Sequence, residues 1–189
     1  MAGDPFPTVA SERLDAWTLD ERTSETVFSL SAVRVEGHTA LYEQSEIREA
    51  VREATGGAVD QPWRFFFATR LTFDPSLGGI GPTGVFPMVL AESRRAFVAD
   101  LEKRGFEAVD RGRTQRMRTD SGDRVRLTKY AARFRAGDLA AGVEAWFGAW
   151  IRSNEFRIAG GAYPTNGLPV ALDPSGYREE LLGLLRSVE

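Results

Sequence analysis

The stretch from Val143 to Tyr163 is the strongest constraint on what this chain can fold into. Two apolar runs flank the polar turn Arg152-Ser-Asn-Glu155, the pattern of a β-hairpin. On the first run Val143, Ala145, Phe147, Ala149 and Ile151 share one face, and Trp146 and Trp150 share the other. Neither face is polar. A strand that is apolar on both sides has to be covered on both sides, so this hairpin belongs mid-sheet with helices above and below.

Composition bounds the chemistry. A chain of 189 residues with 42% hydrophobic content suffices for one sizeable domain. It has no cysteine and a single histidine, His38, which removes disulfides, thiolate chemistry and multi-histidine metal sites. No metal or cofactor is expected. Met1-Ala-Gly-Asp-Pro-Phe-Pro7 has no basic region ahead of an apolar core, so no signal peptide is read there. No run reaches the ~20 apolar residues of a membrane span, and the expectation is a soluble, cytoplasmic protein without membrane contact. Net charge is −3, which argues against a dedicated nucleic-acid binder.

Residues 1–23 read as a polar, partly ordered arm that Trp17 and Leu19 can pin down, and 24–189 as a single domain. Thr26 to Val35 is expected to be a strand, turning at Glu36-Gly37 into a return strand from Thr39 to Tyr42. Ser45 caps a helix through Ala54 that Gly56-Gly57 stops. Trp63 to Phe73 alternates cleanly as a strand. A glycine-rich loop, Asp74 to Phe86, leads to a helix whose first residue is read as Pro87. Glu107 to Met117 and Arg124 to Phe134 form a hairpin around Thr119-Asp-Ser-Gly-Asp123. A change of apolar parity on its second arm predicts a β-bulge near Thr128-Lys129. Loops are expected at Ala136–Gly142 and Gly160–Leu172, and a last helix follows the cap Asp173. Hairpins dominate, so the class is α+β: a largely antiparallel sheet with helices on both faces.

A long two-sided hairpin ending in Gly160-Gly-Ala-Tyr-Pro164, a loop and an amphipathic closing helix resembles the Mog1/PsbP-like α/β/α sandwich. The element order over residues 40–189 is similar to that of uncharacterised haloarchaeal proteins of this type. The resemblance implies a non-catalytic accessory role, since one sort of member binds a small GTPase and another assists photosystem II. It transfers no functional residue.

Gly79-Ile-Gly-Pro-Thr-Gly84 spells G-x-G-x-x-G between a strand and a helix. A dinucleotide site needs the helix to start inside that motif. With the helix placed after it, the stretch reads as a connecting loop in which Gly79, Gly81 and Thr83 offer contacts. Thr165 and Asn166 offer others in the turn-rich segment Tyr163–Pro169. The second candidate is the basic hairpin 111–135, where nine basic residues face only Asp120 and Asp123. Arg116 and Arg118 alternate, as do Arg124 and Arg126, so each pair lies on one face of the ribbon. Such a ribbon suits an acidic protein surface or a phosphate backbone, or it serves only to block edge-to-edge aggregation. Trp146 and Trp150 read as core. His38, placed just past a turn, has no Gly-x-Ser-x-Gly partner, and no catalytic residue is assigned.

The leading expectation is a non-enzymatic accessory protein that recognises a protein partner through the basic hairpin and adjacent loops. The alternatives are a nucleic-acid-associated protein using the same arginines, and a small-molecule binder or enzyme with a pocket between sheet and helix.

Overall fold

The structure, a computed structural model, describes residues 3–189. The hairpin of β6 (Leu139–Arg152) and β7 (Glu155–Asn166) lies inside a seven-stranded antiparallel sheet. Its turn holds Ser153 and Asn154 at φ 49° and 65°, the positive values a two-residue hairpin turn with matching twist requires. The remaining strands are β1 (Thr18–Leu30), β2 (Val33–Glu43), β3 (Phe65–Asp74), β4 (Glu107–Arg118) and β5 (Arg124–Ala136), in the spatial order β1-β2-β3-β7-β6-β5-β4. Helices α1 (Glu46–Ala54), α2 (Gly81–Lys103) and α3 (Pro174–Arg186) complete an α+β fold among the described residues.

The buried side chains fall into two clusters, as the two-sided strand demands. One contains Val143, Ala145, Phe147 and Ala149 with Ile47 and Val51 of α1 and Val89, Phe97 and Leu101 of α2. The other contains Trp146 and Trp150 with Leu181, Leu184 and Leu185 of α3, and with Val9 and Trp17. Both tryptophans are 1% exposed or less, so each contributes a large apolar area to the second cluster. The N-terminal segment is fastened to α3: the Trp17 indole donates to Glu180 at 2.9 Å, and the Arg64 guanidinium, also bonded to Glu180, stacks on the rings of Trp17 and Tyr177. Thr8 and Glu189 exchange backbone hydrogen bonds of 3.1 and 2.8 Å.

Several local expectations are corrected. The first hairpin turns at Ser31-Ala32, with Ser31 at φ 54°, rather than at Glu36-Gly37. Gly37 lies mid-strand because space is short there: a Cβ would come within 2.8 Å of Val27 Cγ1. β1 begins at Thr18, within the polar segment 1–23. No bulge occurs at Thr128-Lys129, because the β5–β6 register runs unbroken from Arg126↔Ala149 to Ala136↔Leu139. Val125 and Leu127 face the Trp150 cluster, while Tyr130 and Ala132 face the Phe97 cluster. β5 is thus apolar on both sides, and the bulges sit on the edge strand β4, between Glu107 and Asp110 and between Arg111 and Thr114.

The loop expected at Ala136–Gly142 shrinks to the turn around Gly137, and β7 runs on to Asn166, so only the residues after it remain loop. α2 starts at Gly81, six residues before Pro87, since Pro82 takes the first-turn position where a missing N–H costs nothing. Pro87 then falls inside the helix, where both it and Thr83, four residues earlier, are exposed and water can reach the unbonded carbonyl.

The centre of the sheet tolerates no added atom at Gly161, where a Cβ would meet Phe65 O at 2.1 Å and Leu181 Cδ1 at 2.8 Å. Gly161→Ala is expected to lower stability by about 3 kcal/mol, the upper end of overpacking costs. Gly79→Ala, whose Cβ would meet nothing within 4 Å, is expected to leave the urea-unfolding midpoint unchanged.

Candidate functional site: an arginine face without acids

The ladder between β4 and β5 sets Arg116 directly opposite Arg126 and Arg118 directly opposite Arg124. Directly paired residues of an antiparallel ladder point to the same side, so all four arginines share one face, and all four are exposed. None of them makes an ion pair among the described residues; Arg118 Nη1 donates only to the carbonyl of Gly122, at 2.9 Å. The hairpin's two acids are engaged elsewhere. Asp123 pairs with Arg152 at 2.9 Å and Asp120 with Arg13 at 3.6 Å. Lys129 and Arg135 do have partners, Glu144 and Glu107, but Lys129 points to the opposite side of the sheet.

Blocking an edge does not account for this arrangement. Charge on the edge strand β4 suffices for that, and its two bulges already disrupt pairing. Arg124 and Arg126 belong to β5, which is hydrogen-bonded on both sides. Like charges placed directly opposite each other destabilise a sheet, so the matched arginines carry a folding cost that edge protection does not require.

The ladder continues inward on the same face through Thr114↔Thr128 and Arg111↔Tyr130. Here α2 contributes a residue that pattern reading missed. Arg94 Nη2 donates to Thr128 Oγ1 at 2.7 Å and reaches Thr114 Oγ1 at 3.4 Å. Burial lowers the Arg94 pKa; Tyr130 opposes this, and the neighbouring Arg111 and Arg126 lower it further. Nothing in the spacing of α2 singles Arg94 out, because its partners lie 20 and 34 residues along the chain.

Register also sorts the other candidates. Gly79 lies in a short 3-10 turn, Gly81 opens α2 at φ 66° and Thr83 is exposed in its first turn. This end of α2 is anchored where Phe86 stacks on Phe156, which pairs with Ile151 one strand away from Arg124. The loop and the outer arginines therefore occupy the same end of the sheet. Ile80 and Met88, 70% and 53% exposed, stand beside that loop. Thr165 and Asn166 lie at the far end of β7, roughly 35 Å away at about 3.3 Å per residue. Their side chains pack on Gly142.

His38 lies in the middle of β2, not past a turn. Its ring bonds the hydroxyls of Ser24 at 2.8 Å and Thr72 at 3.1 Å, with no carboxylate to orient it as a base. Glu144 gathers Lys129, Trp146 and Tyr163 into a half-buried network. Burial would raise the Glu144 carboxyl, but hydrogen bonds from Lys129 and Tyr163 outweigh it and hold the pKa below its ordinary value. Burial and Glu144 push the Tyr163 phenol up, which keeps it a hydrogen-bond donor.

A cavity of about 550 Å³ opens between α2 and the sheet, walled by Leu41, Phe67, Phe97 and Ile158. Ser93, 4% exposed and without a hydrogen-bond partner for its Oγ, also lines it. No group of three or more acidic or histidine side chains fit to hold a metal occurs among the described residues, and no described helix is long and apolar enough to cross a membrane.

Residues 6–189 match the model of a family described as "Domain of unknown function (DUF6517)", and the chain belongs to that family. Comparison with curated proteins and with solved structures finds no match to either.

The Glu144 network makes a pH prediction with a definite sign. A carboxyl whose pKa is lowered by folding stabilises above its unfolded value, and that contribution is lost as pH falls through the depressed folded value. The stability difference between the wild type and Glu144→Gln is therefore expected to be full at neutral pH. It should shrink steadily once the pH falls below the ordinary carboxylate value of 4.5, as read from urea midpoints.

Proposed function

We propose that this member of the DUF6517 family is a non-enzymatic accessory protein that docks an acidic protein surface onto its β4–β5 arginine face. The observation that carries the reading is the cross-strand matching of Arg116 with Arg126 and Arg118 with Arg124, exposed and without counter-ions. Exposed Ile80 and Met88 at the same end of the sheet supply apolar anchors, and methionine and arginine are both enriched in protein interfaces. A nucleic-acid reading uses the same charges but wants aromatic platforms between them, and the ladder pairs on this face from Arg111 to Arg118 bring no exposed aromatic ring.

The fold resemblance is part of the same proposal. The division of the core into one cluster with α1 and α2 and another with α3 supports an α/β/α sandwich of the Mog1/PsbP-like type with helices on both faces. The likeness to haloarchaeal proteins of that type, and a cytoplasmic setting, go with it. A second reading, a small-molecule binder, is favoured by one observation: the unpartnered Ser93 Oγ in the cavity beside α2.

Fluorescence anisotropy with labelled poly-L-glutamate and with single- and double-stranded oligonucleotides separates these readings. Saturable, salt-weakened binding of poly-glutamate, stronger than that of either oligonucleotide and abolished in Arg118→Glu/Arg124→Glu, is the expected result. Preferential oligonucleotide binding overturns the protein-partner reading. The single variant Arg124→Glu removes a like-charge pair, so it is expected to raise stability by about 0.5 kcal/mol while weakening poly-glutamate binding. A merely structural arginine would not show that opposition.

A further inference from the structure

The inner end of the arginine face differs chemically from the outer end. Outside, Arg118 and Arg124 are solvated charges on a flat ribbon. Inside, Arg94 is half-buried and held by two threonine hydroxyls that also bond each other at 3.3 Å. Those threonines form the rung between Arg111↔Tyr130 and Arg116↔Arg126, so the Arg94 guanidinium lands between arginines on either side. Its Nε is buried with no hydrogen-bond partner, and so is the hydroxyl of Tyr130, which is 1% exposed.

Among the described residues no carboxylate pairs with this cluster. On α2, Glu92 is taken by Arg95 at 2.7 Å. On β4, Asp110 pairs with exposed Ala131 and so points away from the Tyr130 side. On β5 the side chains of this face are Arg124, Arg126, Thr128 and Tyr130. A partly desolvated guanidinium is costly without an opposite charge, and here its charged neighbours are cations. The molecule keeps this arrangement in a chain of net charge −3.

We infer that Arg94, Arg111, Arg116 and Arg126 form an oxyanion subsite for a phosphate monoester dianion, beside the Thr114–Thr128 rung that holds Arg94 in place. The inference rests on the protein-docking reading and deepens it: the acidic partner segment carries a phosphorylated side chain, which enters here while its carboxylates lie along Arg118 and Arg124. Guanidinium forks match the tetrahedral oxygens with paired, charge-assisted hydrogen bonds. Two negative charges suit a cluster of four cations better than the single charge of a phosphodiester. Arg94 is fixed before binding, so little conformational freedom is lost when the anion arrives.

Calorimetric titrations of the full chain test this with three probes: inorganic phosphate, and one acidic peptide with and without a phosphoserine, all at matched ionic strength. The phosphopeptide is expected to bind about tenfold more tightly than its unphosphorylated form, as charge-assisted bonds of this kind allow. Inorganic phosphate should give a saturable signal that chloride does not. Arg94→Gln is expected to erase the phospho-preference while changing unphosphorylated-peptide binding by less than about twofold. Because Arg94 is packed, Arg111→Gln, built from an exposed residue outside the matched arginine pairs, provides the same test without risk to the fold.

Loss of the preference in either variant supports the subsite. Absence of the preference in the wild type, or its survival in both variants, overturns it. If the unphosphorylated peptide still binds in those cases, the docking reading stands and only the subsite fails. If neither peptide binds, the docking reading fails. Saturable binding of inorganic phosphate that survives both variants points to a different anion site and overturns this one.

Discussion

The structure depends on β6 having no polar side. With Trp146 and Trp150 on one face and Val143, Ala145, Phe147 and Ala149 on the other, the strand is stable only where both faces are roofed. Its neighbours β5 and β7 also send buried side chains into both clusters. Polarity is pushed outward to β1 and β4, the two strands with a free edge. The arginine face is a consequence of this arrangement. The side of β5 that further in buries Tyr130 and Ala132 is exposed at Arg126 and Arg124.

The sequence made the hairpins legible wherever alternation and turn chemistry agreed. Arg152-Ser-Asn-Glu155 lies between two apolar runs, and the structure turns at Ser153-Asn154 as that pattern implies. Asp173 accepts the Gly176 N–H at 3.1 Å as the cap of α3, whereas Ser45, at the start of α1, caps no backbone N–H and donates to Glu49 at 3.0 Å instead. Illegible features were those in which one residue type serves two purposes. Gly37 looks like a turn glycine and is a packing glycine. Pro87 looks like a helix start because prolines favour first turns, yet Pro82 already occupies that role and Pro87 is tolerated at an exposed position. The parity change on β5 reads as a bulge only for a strand with one apolar side, and β5 has two.

At the candidate site, the pairing of arginines within each strand could be read from spacing, but their facing across the ladder needed the register. The turn at Thr119–Asp123 fixes that register, and with it the juxtaposition of like charges. Arg94 had no such signal. It lies on a helix whose apolar stripe says only which side faces the sheet, and its meaning comes from the two threonines it meets. The acids told the opposite story: Asp120 and Asp123 are the nearest counter-charges in the chain, yet arginines from β6 and from the N-terminal segment take them.

Ser93 and Arg94 are consecutive residues of one helix that look into different places. The first lines the cavity beside β2 and β3, and the second rests on the rung between β4 and β5. A helix of 23 residues moves as a stiff rod, so it cannot be drawn toward one of these without rolling or sliding relative to the other. A displacement of α2 at the cavity wall is therefore also a displacement of the guanidinium that rests on the Thr114–Thr128 rung.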